Sequence, residues 1–149
     1  MQVIKHALNS RDFLDVEDIC NLLENMLPIE GWYMVGAGGN KVVIANDEYD
    51  FVIKIGYTSE EYFYKLIGER KPALLKHIPK IYMVEEYRDY KFIFAERIQG
   101  NHICQSELNN NEDLFIKLAG EFYHDLELDY NSNIMVDRHT NKYWFVDLG

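Results

Sequence analysis

Three oxygen-bearing side chains late in the sequence pose the chemical question. Asp129 lies in the polar stretch Asp129-Tyr-Asn-Ser-Asn133, Asn133 stands at the mouth of the apolar run Ile134-Met-Val-Asp137, and Asp147 follows Tyr143-Trp-Phe-Val146. Between the two runs, Arg138-His-Thr-Asn-Lys142 is a polar hairpin tip that predicts two neighbouring strands. A hairpin there brings Asp129, Asn133 and Asp147 toward one point. Hard oxygen donors of this kind suit Mg²⁺, which takes few protein ligands and completes its shell with phosphate oxygens and water. The first expectation is therefore a site for magnesium and a triphosphate.

A second set of residues stands upstream. Gly36-Ala-Gly38-Gly39-Asn40 separates the run Trp32-Tyr-Met-Val35 from Lys41-Val-Val-Ile-Ala45, and after the turn Asn46-Asp-Glu48 a third apolar run carries Lys54. β-Branched residues on both sides of the glycines predict two antiparallel strands. That excludes a Walker A loop and a dinucleotide fingerprint, each of which needs a helix after its glycines. In isolation the glycine string reads as a hairpin turn. Lys54, inside an apolar run, reads as functional rather than as a solvated strand-end lysine.

The elements that must position these groups follow from periodicity. Val3, Ile4, Ala7 and Leu8 predict a short helix; a second starts at an Asp15 N-cap, carries Val16, Ile19, Cys20, Leu22, Leu23 and Met26, and stops near Pro28. Both are packing material for the unit that follows. Thr58-Ser-Glu-Glu61 resembles a capping box opening a helix through about Arg70, with Pro72 interrupting it and residues 73–76 forming a turn. Residues 78–84 and 91–96 read as strands joined by a polar hairpin over 85–90. Residues 106–113 read as a polar, Asn-rich connector. Leu114, Phe115, Leu118, Ala119, Phe122 and Leu126 predict one helix running into the Asp129 loop.

Composition narrows the classes. At 149 residues the chain is one domain or a small two-lobed one, with 48% hydrophobic residues and eleven Tyr, which excludes disorder. Its formal charge of −10 argues against a nucleic-acid groove. No apolar run reaches bilayer length and Met1-Gln-Val-Ile-Lys5 lacks a signal h-region, so no membrane association and a cytoplasmic location are expected. Cys20 and Cys104, far apart, give no disulfide framework. His6, His77, His102, His124 and His139 show no paired metal-ligand spacing.

Taken in order, these parts resemble the protein kinase fold: an α+β chain with an antiparallel N-lobe sheet carrying one inserted helix, a minimal C-lobe, and extra N-terminal helices. Gly36-x-Gly38-x-x-Lys41-x-Val43 resembles the kinase Gly-rich loop, with Lys41 where a third Gly usually sits. Val52-Ile-Lys54 resembles the strand-three lysine motif, Phe94-Ala-Glu96-Arg-Ile98 the hinge, Asp129…Asn133-Ile-Met the catalytic loop, and Val146-Asp147-Leu148-Gly149 the Asp-Phe-Gly motif with Leu for Phe. Val52-Ile-Lys-Ile55, Ile78-Pro-Lys-Ile-Tyr82 and Asn133-Ile-Met135 are most similar to compact Ser/Thr protein kinases encoded by lytic bacteriophages. The resemblance divides the chain into an N-terminal extension (1–30), an N-lobe (31–98) and an abbreviated C-lobe (99–149).

What the resemblance implies is specific. Lys54 would hold the α- and β-phosphates of ATP, steadied by Glu69, with Glu61 the second candidate. Gly36, Gly38 and Gly39 would cover the phosphates; Val43, Glu96 and Ile98 would hold the adenine; Asn133 and Asp147 would bind Mg²⁺; and Asp129 would orient the acceptor hydroxyl. The protein would act on host proteins in the cytoplasm of an infected bacterium. Three departures accompany it. Asp129 stands four residues before Asn133 where kinases have five, leaving Asp125 as a second candidate. No Lys or Arg lies between them, only Asn131. After Asp147 the sequence given has no activation segment and no helical platform, and a terminal carboxylate there would oppose a triphosphate. These departures keep two other functions open: a kinase-like protein that binds and inhibits a host protein without catalysis, and an acidic nucleic-acid mimic.

Overall fold

The computed structural model describes residues 16–26, 31–38 and 40–147. The predicted helix over Val3–Leu8, the Asp15 cap, Pro28, Gly39, Leu148 and Gly149 lie outside the described residues. The chain divides into two compact units. One takes the chain through Thr58 together with Ile81–Glu96, the other Ser59–Lys80 and Arg97 onward. The segment after the third strand thus groups with the C-terminal half rather than with residues 31–98.

The first unit is an antiparallel five-stranded sheet in the order β1-β2-β3-β5-β4. Its strands are β1 (Trp32–Ala37), β2 (Lys41–Asn46), β3 (Phe51–Gly56), β4 (Ile81–Tyr87) and β5 (Tyr90–Glu96). β2 and β3 are buried on both faces, as their nearly continuous Val and Ile content requires. Helix α1 (Val16–Met26) lays Ile19 and Leu23 on one face, in a cluster with Val42, Ile44, Ile53, Ile55 and Phe92. Each fully buried Ile, Leu or Phe contributes roughly 1.5–3 kcal/mol. At the rim of that face Trp32 stacks on Tyr49 and Tyr49 on Phe51, with centroids 5.8 and 5.3 Å apart. β4 starts at Ile81 rather than Ile78, because the 3₁₀ turn Pro72–His77 and buried Ile78 and Pro79 precede it. The hairpin from β4 to β5 is tighter than predicted: Tyr87 pairs with Tyr90, and Arg88 in the turn takes φ 56°.

The second unit combines helices with a small antiparallel sheet. Helix α2 (Glu60–Arg70) begins after Ser59, whose side chain makes no capping hydrogen bond. Helices α3 (Gln105–Asn110) and α4 (Glu112–Ala119) replace the expected connector and long helix. α3 forms because Leu108 buries itself, while the Asn111 side chain donates to the Glu107 carbonyl at 2.8 Å and ends the helix. α4 stops at Ala119, since Gly120 adopts φ 56°, and Phe122 and Leu126 reach the core from a 3₁₀ turn and the loop that follows. Strands β6 (Asn101–His102), β7 (Ile134–Asp137) and β8 (Lys142–Phe145) make the sheet, in that order. The β7–β8 hairpin is the predicted one, with Asp137 opposite Lys142. Its core gathers Ile67, Leu74, Ile78, Phe115, Phe122, Leu128 and Phe145.

One polar cluster ties α3 to that hairpin. The Glu107 carboxylate accepts both Arg138 guanidinium nitrogens, at 2.7 and 3.1 Å, and the Tyr143 hydroxyl at 2.9 Å. The Arg138 hydrogen bonds hold the Glu107 carboxyl below its usual value. A depressed folded-state value means that the contribution to stability is complete above the unfolded carboxyl's pKa and lost as pH falls through the folded one. Glu107→Gln is therefore expected to lower the melting temperature at neutral pH by roughly a few degrees. The gap to wild type should close on acidification through the glutamate range. A gap independent of pH in thermal melts would contradict this linkage.

Candidate functional site

The candidate residues of the first unit lie on the sheet face opposite α1. Successive residues of a strand point to opposite faces, so cross-strand partners form rungs. Ala45, Val52 and Ala95 make one rung; Val43, Lys54 and Ile93 the next; Lys41, Gly56 and Lys91 the third. The first rung is small and apolar and is extended on β4 by Ile81, opposite Ala95. Lys54 is 5% exposed, directly between Val43 and Ile93. This face thus passes from flat and apolar to cationic along the strands. That gradient matches a ligand with an aromatic base at one end and phosphates at the other. Val43 lies beside Lys54, whereas Glu96 and Ile98, half-buried, follow at and after the end of β5.

The glycine turn joins β1 to β2 at the Lys41 end of the ladder. The Gly38 N–H donates to the Lys41 carbonyl at 2.9 Å, and β1 carries a register shift between Met34 and Gly36. Gly36 and Gly38 have no positive φ, and a Cβ on either would meet no atom within 4 Å. Neither internal packing nor backbone conformation therefore requires glycine at these two positions. A residue without Cβ also allows another group to approach the backbone closely.

The second unit positions the oxygen donors. Ile134 pairs with Phe145, and beyond that rung the Val146 N–H donates to the Asn133 carbonyl at 2.9 Å. Asn133 and Asp147 are thereby brought to the same end of the β7–β8 ladder. Asn133 is 8% exposed and its amide nitrogen donates to the Glu127 carbonyl at 2.9 Å, which turns Oδ1 the other way. Oδ1 of Asn133 and the half-buried Asp147 carboxylate are hard donors of the type Mg²⁺ takes. Among the described residues no three His, Cys, Asp or Glu side chains gather as a metal site. A cation at Asn133 and Asp147 would thus complete its shell with phosphate and water.

Asp129 is exposed in the turn that precedes Asn133. Glu127, at φ 49°, accepts the Tyr130 N–H at 3.1 Å, and buried Leu128 anchors the loop. Asn131 donates its amide to the Ile103 carbonyl at 2.9 Å, so that side chain braces the loop. Asp125 is exposed in the preceding turn. On α2, Glu69 is exposed near the C-terminal end and Glu61 is half-buried. Glu60, in the first turn, is 2% exposed. In the sequence Glu60 carries no signal beyond a helix start, since it falls inside the capping-box pattern.

No family model matches the chain, and no curated protein matches it. Among solved structures it is similar to the kinase PK-1 of Cydia pomonella granulovirus, at 8% identity and a TM-score of 0.49, over 87% of this chain and 55% of that one. It is also similar to the Mycobacterium tuberculosis PknI kinase domain (C20A mutant), at 10% identity and a TM-score of 0.43, over 80% of this chain and 60% of that one. The chain therefore spans little more than half the length of these solved chains. At such identities and scores the similarities assign no function.

Two sets of substitutions test the site. Gly36→Ala and Gly38→Ala should leave stability unchanged or raise it by up to about 1 kcal/mol, while weakening nucleotide binding in titration calorimetry. Marked destabilisation would show that the glycines serve the fold. In denaturant unfolding Asn133→Ala should cost about 1 kcal/mol, because the Glu127 carbonyl keeps its bond from Tyr130. Asn133→Asp should cost more, since a carboxylate oxygen then faces that carbonyl.

Proposed function

We propose that this chain is a kinase-like protein that binds ATP with Mg²⁺ and transfers its terminal phosphate to a Ser or Thr hydroxyl. The observation that carries the reading is Lys54, an ammonium group almost wholly buried on an apolar sheet face beside a glycine turn whose glycines the fold does not need. Phosphate is the anion that a glycine turn and a strand lysine suit together. In this reading Ala45, Val52 and Ala95 contact the base, and Lys54 neutralises phosphate oxygens with Glu69 as its proposed steadying carboxylate. Asn133 and Asp147 hold Mg²⁺, which when bound supplies charge neutralisation at the transferring phosphate. Asp129 accepts a hydrogen bond from the acceptor hydroxyl and takes its proton as the phosphate moves. Positioning and electrostatics do the rest. The motifs shared with phage kinases make a host protein the proposed substrate.

A second reading, nucleotide binding with inhibition of a host protein by contact and no transfer, is favoured by one observation. Asn131 is committed to the Ile103 carbonyl, and no Lys or Arg stands between Asp129 and Asn133 to meet a γ-phosphate. Incubation with labelled ATP and Mg²⁺ separates the two. Wild type should bind ATP in a Mg²⁺-dependent way, and Lys54→Ala and Asp147→Ala should each weaken binding about tenfold or more. Asp129→Asn should keep binding and lose transfer. Binding without transfer by wild type would select the second reading, and a wild type that does neither ends both.

A further inference from the structure

We propose that Tyr123 and Glu112 form a subsite beside Asp129 for a Lys or Arg side chain, which makes the acceptor a Ser or Thr in a basic segment of its protein. The inference rests on the phosphate-transfer reading, in which Asp129 meets the acceptor hydroxyl. All three residues belong to the second unit.

Tyr123 carries the argument. It is only 8% exposed and lies in the core with Phe115, Phe122 and Leu126. Its ring meets His124 edge-on at 5.4 Å between centroids, but among the described residues its hydroxyl makes no hydrogen bond. No fully buried side-chain oxygen there lacks a partner, so this hydroxyl opens to the surface. Burial, then the Glu112 carboxylate, then that of Asp129 hold the phenol above its ordinary pKa. It therefore keeps its proton at neutral pH, and its oxygen is available as an acceptor.

The fold arranges this meeting. Glu112 opens α4, and past that helix the chain returns in turns. The Tyr123 N–H donates to the Gly120 carbonyl at 3.2 Å and the Leu128 N–H to the Tyr123 carbonyl at 3.3 Å, which brings the loop back to Tyr123 one residue before Asp129. Along 112–129, Glu112, Asp113, Asp125, Glu127 and Asp129 are exposed and form no ion pair among the described residues, whereas Glu121 pairs with Arg70 at 3.5 Å. Lys117 is the one Lys or Arg of the segment. The hydroxyl thus opens onto unneutralised negative charge. Among the described residues no three carboxylates or histidines gather there to hold a metal ion. An ammonium or guanidinium needs only a carboxylate and an oxygen acceptor, which Glu112 and Tyr123 supply.

The test uses serine peptides of one length flanked by Arg, Ala or Glu. Binding without nucleotide is read by fluorescence anisotropy and transfer by labelled ATP, for wild type, Glu112→Gln, Tyr123→Phe and Asp113→Asn. Wild type should bind and phosphorylate the Arg-flanked peptide best. Glu112→Gln should weaken that binding about tenfold and Tyr123→Phe about threefold, as a rise in KM with kcat kept, while Asp113→Asn behaves like wild type. Tyr123→Phe should also keep its melting temperature, because its hydroxyl has no partner to lose; a lower one with unchanged peptide binding makes the hydroxyl structural and overturns the inference. Transfer without preference for Arg overturns it too and leaves the transfer reading standing. An equal loss in Asp113→Asn does the same, by reducing the effect to bulk charge. Binding of the Arg-flanked peptide that depends on Glu112 and Tyr123, without transfer, upholds the subsite and ends the transfer reading. Neither binding nor transfer by wild type overturns both.

Discussion

Burying the ammonium of Lys54 is the constraint around which the first unit is arranged. Moving a charged group out of water costs several kcal/mol unless anionic or hydrogen-bonding partners compensate. Lys54 nevertheless sits at the centre of a five-stranded sheet, between Val43 and Ile93. Among the described residues no buried side-chain nitrogen or oxygen lacks a hydrogen-bond partner, so the group is satisfied within the fold. The surrounding strands frame it with Val43 and Ile93 on either side and Ala45 and Ala95 one rung away, and a helix seals the opposite face.

The second unit solves a different problem with backbone rather than charge. Its oxygen donors lie past the end of a short ladder, where chain direction is weakly determined. The amide of Asn133 crosses the loop to the Glu127 carbonyl, and that of Asn131 crosses to Ile103. These two bonds fix the loop before any ligand arrives. Asp129, exposed on that loop, is placed by its neighbours and does not itself hold the structure together.

The strands were the most legible part of the sequence, because Lys41-Val-Val-Ile-Ala45 and Phe51-Val-Ile-Lys-Ile55 alternate or run apolar without interruption. The β7–β8 hairpin was legible for the same reason, through the polar tip between two apolar runs. The helices of the second unit were not. Residues 106–113 look like a connector because Asn and Glu dominate them; one buried residue, Leu108, and the Asn111 amide make the helix, and neither signal is periodic. Phe122 and Leu126 fit a helical repeat from Leu114 by coincidence of spacing, while Gly120 had already ended the helix. For the site, residue types were readable and burial was not: Glu60 and Glu69 are alike in sequence, and only the fold separates the buried one from the exposed one.

The route of the chain has a consequence for modularity. Ser59–Lys80 leaves the first unit between two of its strands and contributes Ile67, Leu74 and Ile78 to the core of the second. β3 and β5, hydrogen-bonded neighbours, are thus separated by an excursion through another core. Neither unit is a continuous stretch of sequence. A fragment ending at Glu96 would carry a complete sheet but strand three core residues in water, and a fragment starting at Arg97 would lack them. Heredity by domain shuffling is closed to such an architecture, because no single cut yields a half that can bury its own apolar surface.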